Sequence, residues 1–372
     1  MKRDNTTEVF FALVRAGLWE QDARLAPFKE IDFNQVYRLA EEQSVVGLIA
    51  AGLEHVVDIK LPKEIVLQFV GRALQLEQQN RAMNSFIGSL INKMRDADIY
   101  TLLVKGQGVA QCYERPLWRS SGDVDLFLSD DNYDKAKTFL TPIASNLEIE
   151  SLREKHLGMT IKGWIVELHG RLYCGLSSRI DRELDDVRQD TFFRGSVRSW
   201  DNKGTQVFLL KAENDVFYVF THILQHFYKE GVGLRQVCDW CRLLWTYRDK
   251  LDLQLLEGSI KRAGLMTAWK AFGAYAVDYL GMPVEAIPFY SSSKKWSRKA
   301  SRINNFILSV GNMGHNRDSS CNRKYPYLVR KFFSMGRRMG DLINHARIFP
   351  LDSLRFFPNI MYNGLRSAAR GE

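Results

Sequence analysis

Two carboxylates, one residue apart, stand at the start of the apolar stretch DVDLFL. They are Asp123 and Asp125, and they flank Val124. In a β-strand, side chains two positions apart lie on the same face, so both carboxylates would point one way while Val124 points into a core. Negative charges this close repel each other unless a cation lies between them. Because Mg²⁺ prefers hard oxygen ligands and in turn holds phosphates, the pattern indicates a metal site.

A third carboxylate is expected from a later strand, since a site for two metal ions generally needs one. In WIVELHGRL, Glu167 stands between Val166 and Leu168, two apolar residues that should point into a core. Glu167 and His169 would then share the face of the aspartates if the two strands pair. His169 is a candidate base beside Glu167, and the alternative is a histidine with a purely structural hydrogen bond.

A lysine and a glycine end the apolar run that precedes the aspartates. The sequence LLVKGQG places Lys105, Gly106 and Gln107 between an expected strand and an expected helix. Glycine lets a backbone approach a phosphate closely, and a helix N-terminus presents free N–H groups, so this turn is a candidate anion site. Lys105 would add a point charge, and Arg119 would add a bidentate phosphate contact.

The elements that must position these residues divide the chain into three regions. Residues 1–97 have apolar side chains three and four positions apart and predict helices, one of them with Asp32 as its N-cap. Residues 98–210 predict a strand–helix–strand–helix–strand unit. Residues 211–372 predict helices again. The predicted fold is therefore α+β, with a small mixed β-sheet core flanked by N-terminal and C-terminal helical lobes.

The composition is typical of a globular protein. The chain has 372 residues, of which 45% are hydrophobic and 26% charged. No apolar run approaches the roughly 18–20 residues of a membrane span, and the first residues lack the features of a signal peptide. We therefore expect no transmembrane segment and a cytoplasmic location. The five scattered cysteines predict reduced thiols rather than a disulfide framework.

The net charge of +9 is concentrated near the C-terminus. Residues 291–372 contain 16 Lys and Arg against 4 Asp and Glu, whereas the rest of the chain contains 36 against 39. A basic segment of this kind suggests an anionic partner, either nucleic acid or a membrane surface. The favoured alternative is a helical lobe whose aromatic residues pack inward while its basic residues face water.

Taken in order, these residues resemble the uncharacterised bacterial nucleotidyltransferases of the DNA polymerase β-type superfamily. The pattern of that group is close to LKG…Y…R…GD-hydrophobic-D, followed by ELH and by a histidine-containing helix with LR…D after it. The matching residues here are Lys105-Gly106, Tyr113, Arg119, Gly122 to Asp125, Glu167 to His169, and the stretch HILQHFYKEGVGLRQVCDWCRLL. The resemblance covers about Val45 to Trp245. Gln107 departs from the serine that many relatives carry, so a serine hydroxyl contact to phosphate is missing.

The resemblance implies an α/β nucleotidyltransferase core and a role for each matching residue. Asp123 and Asp125 would bind two Mg²⁺ (or Mn²⁺) ions, and Glu167 would complete the second site and orient or deprotonate an acceptor hydroxyl. The β- and γ-phosphates of a nucleoside triphosphate such as ATP would be held by Lys105, Gly106 and the N–H groups that follow, including that of Gln107. The acceptor would attack the α-phosphate in line and release pyrophosphate. The acceptor is unknown. Relatives of this group are often encoded beside surface-polysaccharide genes, and only this association suggests a sugar or glycolipid acceptor.

Two histidines and two cysteines form a second constellation. His222 and His226 are four residues apart on one helix face, and Cys238 and Cys241 follow. Together they could form a Cys₂His₂ zinc site. The favoured alternative is a structural role, since cysteine is a common small core residue. The resemblance instead places both histidines and Asp239 beside the cleft, as substrate contacts or as structural residues.

Two rival functions stay open. A metal-dependent glycosyltransferase also uses Asp-x-Asp, but it usually has a nucleotide-binding α/β unit of about a hundred residues before the motif, where this sequence predicts helices. A non-catalytic binding or regulatory protein on a degenerate nucleotidyltransferase fold is the other rival. The presence of all three carboxylates argues against that second rival, and the missing serine argues for it.

Overall fold

The computed structural model describes residues 5–312 and 340–370. Within these residues, the strands are β1 (Leu102–Val104), β2 (Asp123–Phe127), β3 (Asn146–Leu147), β4 (His156–Ile161), β5 (Trp164–His169), β6 (Val197–Asn202) and β7 (Thr205–Leu210). They form one sheet in the order β3-β4-β5-β2-β1-β7-β6. The pairs β2–β5 and β1–β7 are parallel, and the other pairs are antiparallel. The fold is therefore α+β with a mixed sheet, as predicted.

Helices precede and follow the sheet in the chain, and shorter ones connect its strands. They are α1 (Asn5–Trp19), α2 (Phe33–Glu42), α3 (Val46–Glu54), α4 (Lys63–Asp96), α5 (Gly106–Ala110), α6 (Asp130–Leu140), α7 (Ser178–Phe193), α8 (Ala212–Lys229), α9 (Leu234–Tyr247), α10 (Leu253–Ala263), α11 (Met266–Leu280), α12 (Lys294–Val310) and α13 (Pro350–Arg370). Residues 340–348 are also helical. None of the helices in the described ranges is long and apolar enough to cross a membrane.

The sheet separates two hydrophobic clusters, and β2 contributes to both. Val124 and Leu126 pack in a cluster that contains the C-terminal half of α4, including Ile87. Phe127 belongs to the larger cluster on the other face, which contains helices from both ends of the chain. Because side chains alternate along a strand, Asp123 and Asp125 lie on the face of Phe127. The prediction that Val124 enters a core away from the aspartates is confirmed.

Local sequence signals account for several of these elements. The Asp32 side chain accepts a hydrogen bond from the Gln35 backbone N–H and caps α2, as predicted. The turn at Lys162-Gly163 joins β4 to β5, and both residues have positive φ, as a tight two-residue hairpin requires. The sequence reading overlooked α7 and the β6–β7 hairpin. β6 lies at the sheet edge and has many polar residues, which obscure the alternation typical of a strand. The Lys203-Gly204 turn between β6 and β7 was a usable signal.

The basic C-terminal segment is only partly described. Residues 313–339 lie outside the described residues, so the proposed anionic partner of this segment stays a prediction. In the described part, the Lys299 ammonium donates to the Ile348 carbonyl, and the Arg355 guanidinium donates to the Ala263 carbonyl. Phe349 is buried. The burial of Phe349 matches the alternative in which aromatic residues pack inward, whereas Lys299 and Arg355 bind backbone carbonyls instead of only facing water.

Candidate functional site

The three carboxylates predicted from the sequence converge on one face of the sheet. The parallel register of β2 and β5 puts Asp125 directly opposite Glu167. Asp123 lies two positions before Asp125 and therefore on the same face. A carboxylate oxygen from each residue lies within 4.8 Å of the other two. The prediction that Glu167 shares the face of the aspartates is confirmed, and the pairing of β2 with β5 is what brings the three groups together.

Negative charge is concentrated here with little access to water. The Asp125 side chain is 1% exposed, and its charge, followed by burial, raises the pKa of Asp123 above its ordinary value. Burial also acts to raise the pKa of Glu167, but hydrogen bonds with His156 and His169 outweigh burial and hold this pKa below the ordinary range. The repulsion therefore falls mainly on Asp123, and a bound cation would relieve it.

Lys105 supplies a positive charge beside the aspartates. Its Nζ lies 2.7 Å from Asp125 Oδ1 and 5.9 Å from the centre of the Tyr218 ring. Burial alone would lower the pKa of Lys105, but Asp125, Tyr218 and the other carboxylates raise it, so the ammonium stays charged. Lys105 has a φ of 55° and Gly106 a φ of 40°, a backbone region that a residue with a side chain rarely adopts. Because Nζ contacts Asp125 in this structure, a phosphate contact stays a prediction.

Two histidines border Glu167. His169 Nε2 lies 2.8 Å from Asp125 Oδ1 and 3.4 Å from Glu167 Oε2. His156 Nε2 lies 3.2 Å from the same Glu167 oxygen. Burial acts to lower the pKa of His169, but its hydrogen bonds with Asp125 and Glu167 raise it overall. The sequence reading missed His156; the usable signal was the Lys-Gly hairpin turn, which pairs it with His169.

One face of α8 borders the same site. Tyr218, His222 and His226 are spaced by four and therefore share that face, and the Nε2 atoms of the two histidines lie 3.0 Å apart. Burial, followed by the charge of Lys105, lowers the pKa of His222 well below its ordinary value, so this imidazole is neutral. Burial raises the pKa of Tyr218 to about 12. The sequence reading missed Tyr218, whose spacing from His222 was the available signal. A substrate contact of either histidine stays a prediction.

Arg119 and Asp239 form a buried ion pair. The Arg119 Nε and Nη2 atoms donate to the two Asp239 oxygens, each over 2.7 Å. Arg119 Nη1 donates to Ser121 Oγ over 2.7 Å, and the Tyr113 hydroxyl donates to Asp239 Oδ1 over 2.8 Å. The predicted phosphate contact of Arg119 gains no support from this arrangement. The pair joins the loop before β2 to α9, and a substrate contact of Asp239 stays a prediction.

Gln107 faces away from the carboxylates. Its side chain is buried, and its Nε2 donates to Asn80 Oδ1 over 2.7 Å and lies 3.4 Å from Met83 Sδ. Asn80 in turn donates to the carbonyl oxygens of Leu117 and Arg119. The Gln107 side chain therefore supports the loop through α4. A phosphate contact through its backbone N–H stays a prediction.

Arg235, the arginine of the LR…D element, is a further cation, and it was assigned no role from the sequence. Its Nη1 donates to the Ser120 carbonyl over 2.7 Å, its Nε is buried and makes no hydrogen bond, and its charge lowers the pKa of Asp123. The glycines just before it, in GVGLRQ, were the available signal. Arg235 is therefore a candidate for contact with an anionic substrate.

The donor groups fit a divalent cation. Three carboxylates offer hard oxygen atoms within reach of one another, which is the chemistry that Mg²⁺ and Mn²⁺ require. The zinc alternative gains no support. Cys238 and Cys241 are fully buried on α9, and burial raises the pKa of both thiols. Over the described ranges, the groups of three or more ligating side chains are Asp123, Asp125 and Glu167, and His156, Glu167 and His169.

A family model and a solved structure are similar to this chain. A family model described as "Uncharacterised nucleotidyltransferase" matches residues 29–281, which is more than half of the chain. No curated protein matches. Among solved structures, the crystal structure of an antigenic nucleotidyltransferase-like protein from Paracoccidioides brasiliensis is similar at 14% identity over 48% of this chain and 85% of that one. Its TM-score is 0.31.

Proposed function

The chain belongs to the family of uncharacterised nucleotidyltransferases, and we propose that it transfers a nucleoside monophosphate from a nucleoside triphosphate to an acceptor hydroxyl. The observation that carries the proposal is the convergence of Asp123, Asp125 and Glu167 within 4.8 Å, with the Lys105 ammonium beside them. A structural ion-pair network has no need of three carboxylates on one face, because their mutual repulsion is costly.

The carboxylates would hold Mg²⁺ or Mn²⁺. Asp123 and Asp125 would provide one position, and Asp125 with Glu167 the second. The cations, when bound, neutralise charge on the phosphates and on the attacking and leaving oxygens. Their positive charge would also replace that of Lys105 at Asp125. Lys105 would then be free to contact a phosphate oxygen.

The residues of this chain would orient the reactants. Glu167, held by His156 and His169, would accept a hydrogen bond from the acceptor hydroxyl and take its proton. The acceptor oxygen would form a bond to the α-phosphorus as the bond to the bridging oxygen of the β-phosphate breaks, and pyrophosphate would leave. Arg235 and Lys105, whose charges both act on Asp123, would contact the phosphates. The acceptor class, for which a sugar or glycolipid is a candidate, is what the experiment must identify.

The test is transfer of label from each α-³²P-labelled nucleoside triphosphate to components of a cell extract. We expect Mg²⁺-dependent transfer by the wild-type protein and a loss of at least about 100-fold in Asp123→Asn. The control is Asp134→Asn, since Asp134 is exposed on α6 and should transfer label as the wild type does.

Two results would contradict the proposal. Mg²⁺-dependent binding of a triphosphate without any transfer would favour the non-catalytic alternative. Transfer of a sugar from a nucleotide sugar, abolished by Asp123→Asn, would favour the glycosyltransferase alternative.

A further inference from the structure

Two histidines lie beside the carboxylate cluster, although a metal site with only oxygen ligands would not need them. His156 on β4 and His169 on β5 are direct partners across the hairpin, with ring centres 4.8 Å apart. Glu167 lies two residues before His169 and so on the same face. Strand pairing therefore brings two imidazoles and a carboxylate together on one face of the sheet.

The separations of these donor atoms fit a shared cation. His156 Nε2 and His169 Nε2 lie 3.2 Å and 3.4 Å from the same oxygen, Glu167 Oε2. Ligands held at about 2.1 Å from one tetrahedral or octahedral cation are themselves about 3–3.5 Å apart. His169 Nε2 is also 2.8 Å from Asp125 Oδ1. One ring nitrogen thus lies between the carboxylates that β2 and β5 contribute.

We propose that the two cation positions of this site have different ligand chemistry. The position at Asp123 and Asp125 is all-oxygen and takes Mg²⁺. The second position, at Asp125 and Glu167, also has the imidazoles of His156 and His169 as ligands. It takes a divalent transition cation, because imidazole nitrogen favours Mn²⁺, Co²⁺ or Zn²⁺ over Mg²⁺. The assignment of the second position follows from the donor atoms alone. Its role beside the reacting hydroxyl rests on the proposed function.

The competing interpretation is a hydrogen-bond network in which both imidazoles only orient Glu167. Such a network leaves the ring nitrogens without a metal bond, so the two interpretations differ in a directly measurable contact. Mn²⁺ is the suitable probe, since it is paramagnetic and accepts both oxygen and nitrogen ligands.

The experiment is Mn²⁺ binding to the full-length protein, followed by pulsed electron paramagnetic resonance that detects ¹⁴N bonded to Mn²⁺. We expect ¹⁴N coupling in the wild type and its loss in the double variant His156→Asn/His169→Asn. We expect His156→Asn alone to weaken Mn²⁺ binding by at least about 10-fold and to weaken Mg²⁺ binding much less, because Mg²⁺ at Asp123 and Asp125 has no imidazole ligand. The matched control is His55→Asn, since His55 Nε2 pairs with Glu20 Oε2 at 2.7 Å outside this site.

Absence of ¹⁴N coupling in the Mn²⁺-bound wild type would overturn the inference, whether or not the variants fold. Coupling that persists in the double variant would also overturn it, because the nitrogen would then come from elsewhere. The proposed function fails separately. Asp123-dependent label transfer without ¹⁴N coupling would support the proposed function and rule out the histidine metal site. ¹⁴N coupling without triphosphate binding would support the histidine metal site and contradict the proposed function.

Discussion

At the scale of single residues, Lys105 and Asp125 form the contact on which the site depends. The Asp125 side chain is almost fully buried, and the Lys105 ammonium lies 2.7 Å from it. A buried carboxylate without a counter-charge is costly. Lys105 also has a φ of 55°, and residues held in such sparsely populated backbone regions cluster at functional sites.

Lys105→Met is expected to destabilise the protein by about 3 kcal/mol in the absence of divalent cations, because it removes the ammonium beside the buried Asp125 carboxylate. Mg²⁺ should restore much of this loss, since it supplies the missing positive charge. Urea unfolding with and without Mg²⁺ measures both effects.

The control for this prediction is Lys137→Met, which removes a more exposed partner of Glu150. Lys137→Met should lower the free energy of unfolding by less than about 1 kcal/mol, and Mg²⁺ should not change this value. Equal stability of Lys105→Met and the wild type would show that the Lys105 contact carries little of the folding free energy.

At the scale of elements, the loop before β2 is anchored to α9 by Arg119 and Asp239. Their side chains are 4% and 7% exposed, and they lie 120 positions apart in the chain. The motif residue Arg119 thus positions the strand that carries the aspartates. The expected phosphate contact came from the bidentate donor geometry of arginine and from its place just before the aspartates, and neither shows which atoms the side chain touches.

Asp239→Asn is expected to cost about 3–5 kcal/mol, because it leaves a buried guanidinium without its counter-charge. The double variant Arg119→Met/Asp239→Leu should lose less unfolding free energy than Arg119→Met and Asp239→Leu lose in sum, since it removes both charges. A double-mutant cycle by chemical unfolding measures this coupling. Strictly additive losses would contradict the buried ion pair.

The crossing of α1 and α3 depends on glycines that cannot carry a side chain. A Cβ added at Gly52 would lie 2.1 Å from the Leu13 carbonyl oxygen, and one added at Gly17 would lie 1.9 Å from that of Leu48. Both obstacles are backbone atoms, which cannot move aside as a flexible side chain can. The two helices therefore pack at the closest approach that their backbones allow.

Gly52→Ala is expected to destabilise the protein by at least about 2 kcal/mol, because the helices must separate. Gly71 is the matched control. It lies exposed inside α4 with nothing near its added Cβ, so Gly71→Ala should stabilise the protein by about 0.5–1 kcal/mol through better helix propensity. Thermal unfolding distinguishes the opposite signs.

At the scale of the whole molecule, the three regions predicted from the sequence share one core. The larger cluster contains Phe11 of α1, Val104 of β1 and Phe220 of α8. The Arg242 guanidinium of α9 donates to the Leu18 and Cys112 carbonyl oxygens and so joins the three regions. The sheet face that carries the carboxylates is thus closed by helices from both ends of the chain.

We therefore expect an isolated fragment 98–210 to lack a cooperative unfolding transition, because the apolar residues on one sheet face would be exposed to water. The full chain should unfold in one transition by circular dichroism and by tryptophan fluorescence. A fragment that unfolds cooperatively, or full-chain transitions that differ between the two probes, would support independent lobes.

The sequence by itself determined the local geometry of this protein. The period of two places Asp123 with Asp125 and Glu167 with His169, because alternation is built into any extended backbone. Helix capping at Asp32 and the turn at Lys162-Gly163 are equally local.

Only the tertiary structure determined which residues the side chains on these strand faces contact. The parallel pairing of β2 with β5, the approach of α8 and the partner of Arg119 all join residues far apart in the chain. Such contacts depend on the packing of the whole core, which no spacing within a single segment encodes.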